Sequence, residues 1–234
     1  MGLLFVLVWV SLTALAGGSW RYLATRRRRR ISAFAAQMGL SFSAEDTFGL
    51  ADHAFDLFNL GDLARCRNVV WGTFEGVEVK SGDLYFVSSS AAVPAGMDRL
   101  ERGGLRFVFA ETEVGAFLPH VSIRHRDWVP EGLQPNELPF ESDDFNRRFL
   151  VRGDDRRFAY EFVDIRMMQW LLDVSDSLEV SFEASGRRLI AYCRSSKVCT
   201  PAPVLVAVKG FRDRIPAMVL REYPLHVAVD QIPF

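Results

Sequence analysis

Residues 2–20 contain no charged side chain, and five consecutive arginines, Arg26 to Arg30, follow them closely. A helix rises about 1.5 Å per residue, so nineteen residues reach about 28 Å, close to the roughly 30 Å apolar layer of a bilayer. Trp20 and Tyr22, at the end of the run, carry rings that prefer the headgroup layer. The pattern predicts a transmembrane anchor over residues 1–24 and a polybasic juxtamembrane segment over residues 25–30.

The arginine run also predicts a topology, because positively charged flanks stay on the cytoplasmic side of a membrane. We therefore expect a single-pass protein of the cell membrane, with its N-terminus outside and residues 31–234 in the cytoplasm. The alternative is a cleaved signal peptide, for which Ala14-Leu15-Ala16 offers a cleavage site. A signal peptide carries its positive charge before the apolar run, and no Lys or Arg precedes this one, so the sequence favours the anchor.

The charge of the chain is divided unevenly between the two parts. The first 30 residues hold six arginines and no acidic residue, which leaves 22 basic and 29 acidic residues, a net charge of −7, in the other 204. An acidic domain lacks the basic surface that nucleic-acid binding requires, so we expect no nucleic-acid partner. The expected partner is the lipid bilayer, and a protein partner of unidentified kind stays open. Contact with anionic headgroups is predicted for Arg26, Arg27, Arg28, Arg29 and Arg30.

Strand signals dominate the region between residues 40 and 130. Apolar residues alternate on both sides of Glu75-Gly76, which predicts a hairpin over residues 67–87. Further strands are expected around Phe107 and Val121, and a mobile loop over residues 88–96, which are small and include a proline. Residues 130–139 hold three prolines and mark a sub-boundary within the domain.

Helix signals lie mostly beyond that boundary, although a short helix over residues 31–38 is expected to end at Gly39. Asp155 and Asp164 each precede apolar residues at helical spacing, and Thr200-Pro201 is a typical N-cap and first-turn pair. Alternation on both sides of Ser185-Gly186 predicts a second hairpin. The sequence therefore predicts an α+β fold: an N-terminal transmembrane helix, then a largely antiparallel sheet domain with helices concentrated in the C-terminal half.

The cysteines and histidines show no spacing typical of a metal site. Cys66, Cys193 and Cys199 are too far apart for a zinc site built on two close pairs, and Cys193 is expected to be buried by packing. A bridge between Cys193 and Cys199 would instead indicate an extracytoplasmic domain. His120 and His125, five residues apart on a predicted strand, are expected on opposite faces. No phosphate-binding loop or nucleophile elbow is present either, so we expect no metal site and no cofactor.

Acidic residues are the remaining candidates for chemistry. Asp143, Asp144, Asp154 and Asp155 lie among several arginines, an arrangement that fits either an anion site or a surface network of ion pairs. Helix capping accounts for Asp155 without chemistry. We favour a non-catalytic binding or scaffolding domain at the cytoplasmic membrane face, and the alternative is a membrane-tethered hydrolase that uses these loop carboxylates.

Three segments carry a resemblance to a known family. Phe140 to Val151 contains an acidic-Phe-Asn-x-x-Phe-x-Val pattern, Met167 to Leu172 reads Met-Met-Gln-Trp-Leu-Leu, and Arg67 to Gly76 reads as an Arg-Asn-Val hairpin segment. Together they resemble a family of uncharacterised bacterial single-pass membrane-anchored proteins, from about residue 31 to the C-terminus. The resemblance implies the anchored architecture and carries over no catalytic residue.

Overall fold

The structure is a computed structural model that describes residues 22, 24–59, 63–87, 106–126, 136–194 and 200–225. The strands are β1 (Ser41–Glu45), β2 (Leu63–Phe74), β3 (Val77–Val87), β4 (Arg106–His125), β5 (Phe149–Gly153) and β6 (Val180–Arg194). The helices are α1 over residues 24–37, α2 (Asp143–Arg148), α3 (Arg156–Phe162), α4 (Ile165–Ser175), α5 (Pro201–Arg212) and α6 (Ala217–Glu222). Two 3-10 helices, Leu50–Asp52 and Asp56–Asn59, lie between β1 and β2.

The strands form one antiparallel sheet centred on β4. β1, β2, β3 and β4 pair in chain order, and β5 and β6 both pair with β4. Val108 of β4 lies opposite both Asp83 of β3 and Cys193 of β6, so β3 and β6 occupy opposite edges of β4. Strands from both sides of residues 130–139 therefore pair within the same sheet.

A separate apolar core lies on each face of this sheet. On one face the helices pack their apolar sides, for example Phe145, Phe158 and Leu171, against Val108 and other strand residues. The opposite face is covered by residues 50–59, which contain both 3-10 helices and are called the 3-10 segment below. Its apolar side chains pack against a second set of strand residues, and this core includes Leu50, Phe55, Leu57, Phe58, Leu84, Phe109 and Tyr192. The sheet is thus covered by helices on one side and by the 3-10 segment on the other.

Local signals in the sequence placed several element ends correctly. The side chain of Asp155 accepts from the N–H of Phe158 at 3.0 Å, and that of Asp164 accepts from Met167 at 2.8 Å, so both aspartates cap helices as predicted. The β2–β3 hairpin turns at Glu75-Gly76 as predicted, and both residues have positive φ, 46° and 82°. Such a left-handed pair matches the twist of an antiparallel hairpin.

The predicted second hairpin at Ser185-Gly186 is wrong. Residues 180–194 form the single strand β6, which pairs with β4 on both sides of Ser185-Gly186, from Phe182 opposite Ile123 to Arg194 opposite Phe107. Gly186 has φ 57° where β6 shifts register against β4, and the extra residues lie on β4, so Gly186 lies opposite a bulge and not in a turn. The core-facing residues of β6 have even numbers up to Ala184 and odd numbers from Leu189 onward. The irregularity at the bulge allows this change, so both residues lie in the core beneath the helices.

The predicted fold class also needs correction beyond its α+β antiparallel core. Helices are not concentrated in the C-terminal half, because α1 and the two 3-10 helices precede β2, and β5 and β6 are interleaved with α2 to α5.

The predicted transmembrane helix is not supported either: nowhere in the described residues is a helix both long and apolar enough to cross a membrane. Residues 1–24 lie outside the described part except for Tyr22 and Ala24, and the single-pass membrane localisation is withdrawn on this finding. The predicted loop at residues 88–96 also lies outside it.

Candidate functional site

The arginines that the sequence assigns to lipid contact do not share one environment. Arg27 points from α1 to the sheet, where its Nε donates to Oδ2 of Asp83 at 2.7 Å. Asp83 is 1% exposed and also accepts from Nδ2 of Asn68 at 2.9 Å. Burial opposes the charge of Arg27, but the hydrogen bond to Asp83 and its negative charge outweigh that cost and raise the pKa of Arg27. Arg27 therefore forms a structural ion pair with a buried acid.

The other four arginines of the predicted lipid contact, Arg26, Arg28, Arg29 and Arg30, are exposed on α1. This placement leaves them accessible to an anionic surface. No observation on the described residues tests that contact, and it stays a prediction.

The carboxylates of the hydrolase interpretation do not form a buried cleft. Asp155 caps α3, and Asp143, Asp144 and Asp154 are exposed. Asp144 borders a shallow depression of about 550 Å³ together with Arg147 and Arg148, but it is 72% exposed and pairs with Arg147. Arg148 instead reaches Oγ of Ser175 at 2.8 Å and pairs with Asp176. The arrangement is an exposed network of ion pairs, and such pairs are screened by water.

A larger groove, which the sequence did not reveal, lies between α4 and α5 beside the end of β6. Its volume is about 970 Å³, within the size range of small-ligand sites. Trp170 and Val174 of α4 line one side, and Pro203, Val206 and Ala207 of α5 line the other. The walls are therefore mainly apolar.

Charged and aromatic groups border the same groove. Arg194 and Arg214 line it from the end of β6 and the turn after α5, and Glu179 adds one acid. The guanidinium of Arg214 lies 4.9 Å from the ring centroid of Trp170, a cation–π contact that orients both groups. A Cβ on Gly210 would meet the Trp170 ring at 2.8 Å, so this glycine permits the close approach of α5 to the indole. The groove thus combines an apolar interior with two cations at its border, of which Arg214 is oriented by Trp170.

Two buried glutamates lie on the face covered by the 3-10 segment, and each meets a histidine. Oε2 of Glu111 is 2.6 Å from Nδ1 of His53, and Oε1 of Glu183 is 3.0 Å from Nε2 of His120. The hydrogen bond to Glu183 and the charges of nearby acids raise the pKa of His120 against the effect of its partial burial. Asp56 and Arg124 complete the second group through an ion pair of 2.7 Å. Sequence reasoning missed both groups, because their members lie far apart along the chain and follow no motif.

Two predictions about histidine and cysteine geometry can be checked directly. His120 faces the Glu183 side of the sheet while the ring of His125 packs on Phe149, so the two histidines lie on opposite faces as predicted. Cys193 is buried as predicted, but it is disulfide-bonded and not a free packing residue. Cys66 is free, and burial raises the pKa of its thiol. Cys199 lies outside the described residues.

The fold and the groove define an α+β domain with one antiparallel sheet, helices on one face and a ligand-sized cleft among those helices. The crystal structure of the mycobacterial trehalose monomycolate transport factor A, TtfA, is similar, with a TM-score of 0.57 and 17% sequence identity. The alignment covers 84% of this chain and 96% of that chain, so the likeness extends over most of this chain and shows a shared fold. No family model and no curated protein matches this sequence, so membership of the resembled bacterial family stays a prediction.

Proposed function

We propose that this chain is a non-catalytic binding domain that holds the acyl chain of an amphipathic ligand in the groove between α4 and α5. The observation that carries the proposal is the groove itself, whose apolar walls and volume of about 970 Å³ suit such a chain. Burying apolar ligand surface there contributes roughly 25 cal/mol per Å² removed from water.

The polar end of the ligand is assigned to the rim. Arg194 and Arg214 supply two positive charges beside the apolar walls, so an anionic head group, such as a carboxylate, suits this position. The contact of Arg214 with Trp170 limits the freedom of that arginine before a ligand arrives. The likeness to a transport factor for trehalose monomycolate is compatible with a ligand that has an acyl part.

The hydrolase alternative receives less support from the same structure. Its carboxylates are exposed or cap helices, whereas acid and base catalysis needs carboxyl groups whose pKa values are separated by burial or by neighbours. Among the described residues that line the groove, Glu179 is the one acid and none is a histidine.

The test is binding of a fluorescent fatty acid, cis-parinaric acid, to the purified chain. Val206 lines the groove and is 59% exposed, so Val206→Glu places a charge in the groove without disturbing a core position. We expect this variant to bind at least tenfold more weakly, because a desolvated charge beside an acyl chain costs about 1.4 kcal/mol or more. Ile165→Glu is the matched control, since Ile165 is 70% exposed on α4 and does not line the groove.

Equal binding by the wild type and Val206→Glu would remove the groove as the site, and absence of binding by the wild type would overturn the proposal. Turnover of a small ester or phosphate ester that Asp144→Asn abolishes would favour the hydrolase instead.

A further inference from the structure

Three side chains of metal-ligand type converge where the second 3-10 helix meets β4 and β6. One ligand atom from each of Asp56, His120 and Glu183 lies within 4.8 Å of the other two. Nε2 of His120 is 3.0 Å from Oε1 of Glu183 and 3.7 Å from Oδ1 of Asp56. Ligands at 2.0–2.2 Å from a tetrahedral zinc ion lie about 3.4 Å from one another, so the two distances bracket the required spacing.

The carboxylate oxygens that point away from this centre are held by other groups. The guanidinium of Arg124 donates to Oδ2 of Asp56 at 2.7 Å, which leaves Oδ1 on the side of His120. The N–H of Leu57 donates to Oε2 of Glu183 at 3.3 Å, which leaves Oε1 on the same side. Oε1, the oxygen that faces His120, also accepts from the N–H of Asp56, which fixes its position without using both of its lone pairs. Outer hydrogen bonds of this kind orient carboxylates and strengthen metal binding.

Burial of the three side chains gives the cluster a closed and an open side. The side chain of Glu183 is fully buried, that of His120 is 22% exposed and that of Asp56 is 44% exposed. An ion can therefore reach the cluster from the side of Asp56, and a water molecule can complete its coordination there.

We propose that Asp56, His120 and Glu183 bind a divalent metal ion of the zinc class, which ties the second 3-10 helix to the sheet. One imidazole and two carboxylates suit Zn²⁺, whereas Mg²⁺ and Ca²⁺ prefer sets of oxygen ligands alone. On binding, Nε2 of His120 donates its lone pair to the ion while Nδ1 carries the ring proton, and a doubly protonated imidazolium releases its Nε2 proton to solvent. The alternative is that the same groups serve only as a hydrogen-bonded ion-pair cluster.

The experiment uses the full chain without an affinity tag, treated with EDTA and then freed of it. Zn²⁺ is titrated by calorimetry, and Co²⁺ is followed by its visible absorption, which distinguishes tetrahedral from octahedral coordination. We expect one Zn²⁺ per chain, a tetrahedral Co²⁺ spectrum and no response to Mg²⁺. Both His120→Ala and Asp56→Asn should weaken Zn²⁺ binding at least about tenfold, the loss typical of even an outer-shell partner.

His53→Ala is the matched control, because His53 also pairs with a buried glutamate but no third ligand of metal type is grouped with that pair in the described part of the chain. It should keep the affinity of the wild type. Asp56→Asn changes a half-exposed residue and is therefore expected to fold. If circular dichroism shows that His120→Ala is unfolded, Asp56→Asn alone tests the metal site. Absence of Zn²⁺ binding by the wild type, or binding by Asp56→Asn as tight as that of the wild type, would overturn the metal site and leave the ion-pair cluster.

Discussion

Three acidic side chains, Asp83, Glu111 and Glu183, are buried within the sheet, each exposed by 2% or less. A carboxylate in such a position is tolerated only with partners, because removal from water costs several kcal/mol per ion. Arg27 supplies the partner of Asp83, while His53 and His120 supply those of the two glutamates. At the scale of single residues, the Arg27–Asp83 pair attaches α1 to one face of the sheet and the His53–Glu111 pair attaches the 3-10 segment to the other, while the His120–Glu183 pair links β4 and β6.

The pair of Arg27 and Asp83 leads to a prediction that separates one arginine from its neighbours. Arg27→Ala leaves the buried Asp83 without its guanidinium partner, although Asn68 still donates to it, so we expect a loss of about 3 kcal/mol in the free energy of unfolding. Arg28→Ala, at an exposed position of the same helix, should change that free energy by less than about 0.5 kcal/mol. Urea denaturation of both variants measures the difference. Equal losses would mean that the buried ion pair contributes nothing specific.

At the scale of elements, helix α1 packs on the sheet with one side and exposes arginines on the other. Ile31 and Ala35 pack into the core beneath the helices, while Arg26, Arg28, Arg29 and Arg30 lie exposed. The apolar stripe and the ion pair of Arg27 with Asp83 thus hold the helix to the sheet. Its remaining charge is available for contacts outside the domain.

The prediction for α1 concerns binding to anionic vesicles. Each arginine near an anionic surface contributes about 1 kcal/mol, so replacing the four exposed arginines by glutamine should greatly weaken binding to vesicles that contain phosphatidylglycerol. The effect should decrease with added salt, since the screening length is about 8 Å at 0.15 M. Neutral phosphatidylcholine vesicles are the control, because any apolar contribution of the chain is the same on both. Co-sedimentation that does not depend on the anionic fraction would contradict the predicted lipid contact.

For the whole molecule, the decisive feature is that two apolar cores share one sheet. Trp71 packs against the core beneath the 3-10 segment, and Trp170 packs against the core beneath the helices. Loss of either core exposes the strands that support the other, so we expect both cores to unfold together.

Leu84→Ala tests this cooperation. Leu84 is fully buried beneath the 3-10 segment, and its truncation should cost about 3 kcal/mol of unfolding free energy. The substitution is made in two backgrounds, one that keeps Trp71 as the sole tryptophan and one that keeps Trp170. The urea midpoint measured by tryptophan fluorescence should fall by the same amount in both backgrounds. A shift confined to the Trp71 variant would show that the two cores unfold separately.

Sequence alone determined the parts of the fold that depend on neighbours along the chain. The helix caps at Asp155 and Asp164 and the turn at Glu75-Gly76 involve residues within three positions of one another, and their chemistry is visible in the sequence. The antiparallel α+β character also followed, because alternating strands and helical spacing are local patterns.

Tertiary structure alone decided the long-range contacts. Ser185-Gly186 has the composition of a turn, and only pairing with β4 on both sides of it makes the segment one continuous strand. Arg27 meets Asp83 across 56 positions, and His120 meets Glu183 across 63. Neither pair leaves a periodic trace, because the packing of α1 on the sheet brings Arg27 to Asp83 and the register of β4 against β6 brings His120 to Glu183. The groove between α4 and α5 arises in the same way, since it exists only after two helices have packed on one face of the sheet.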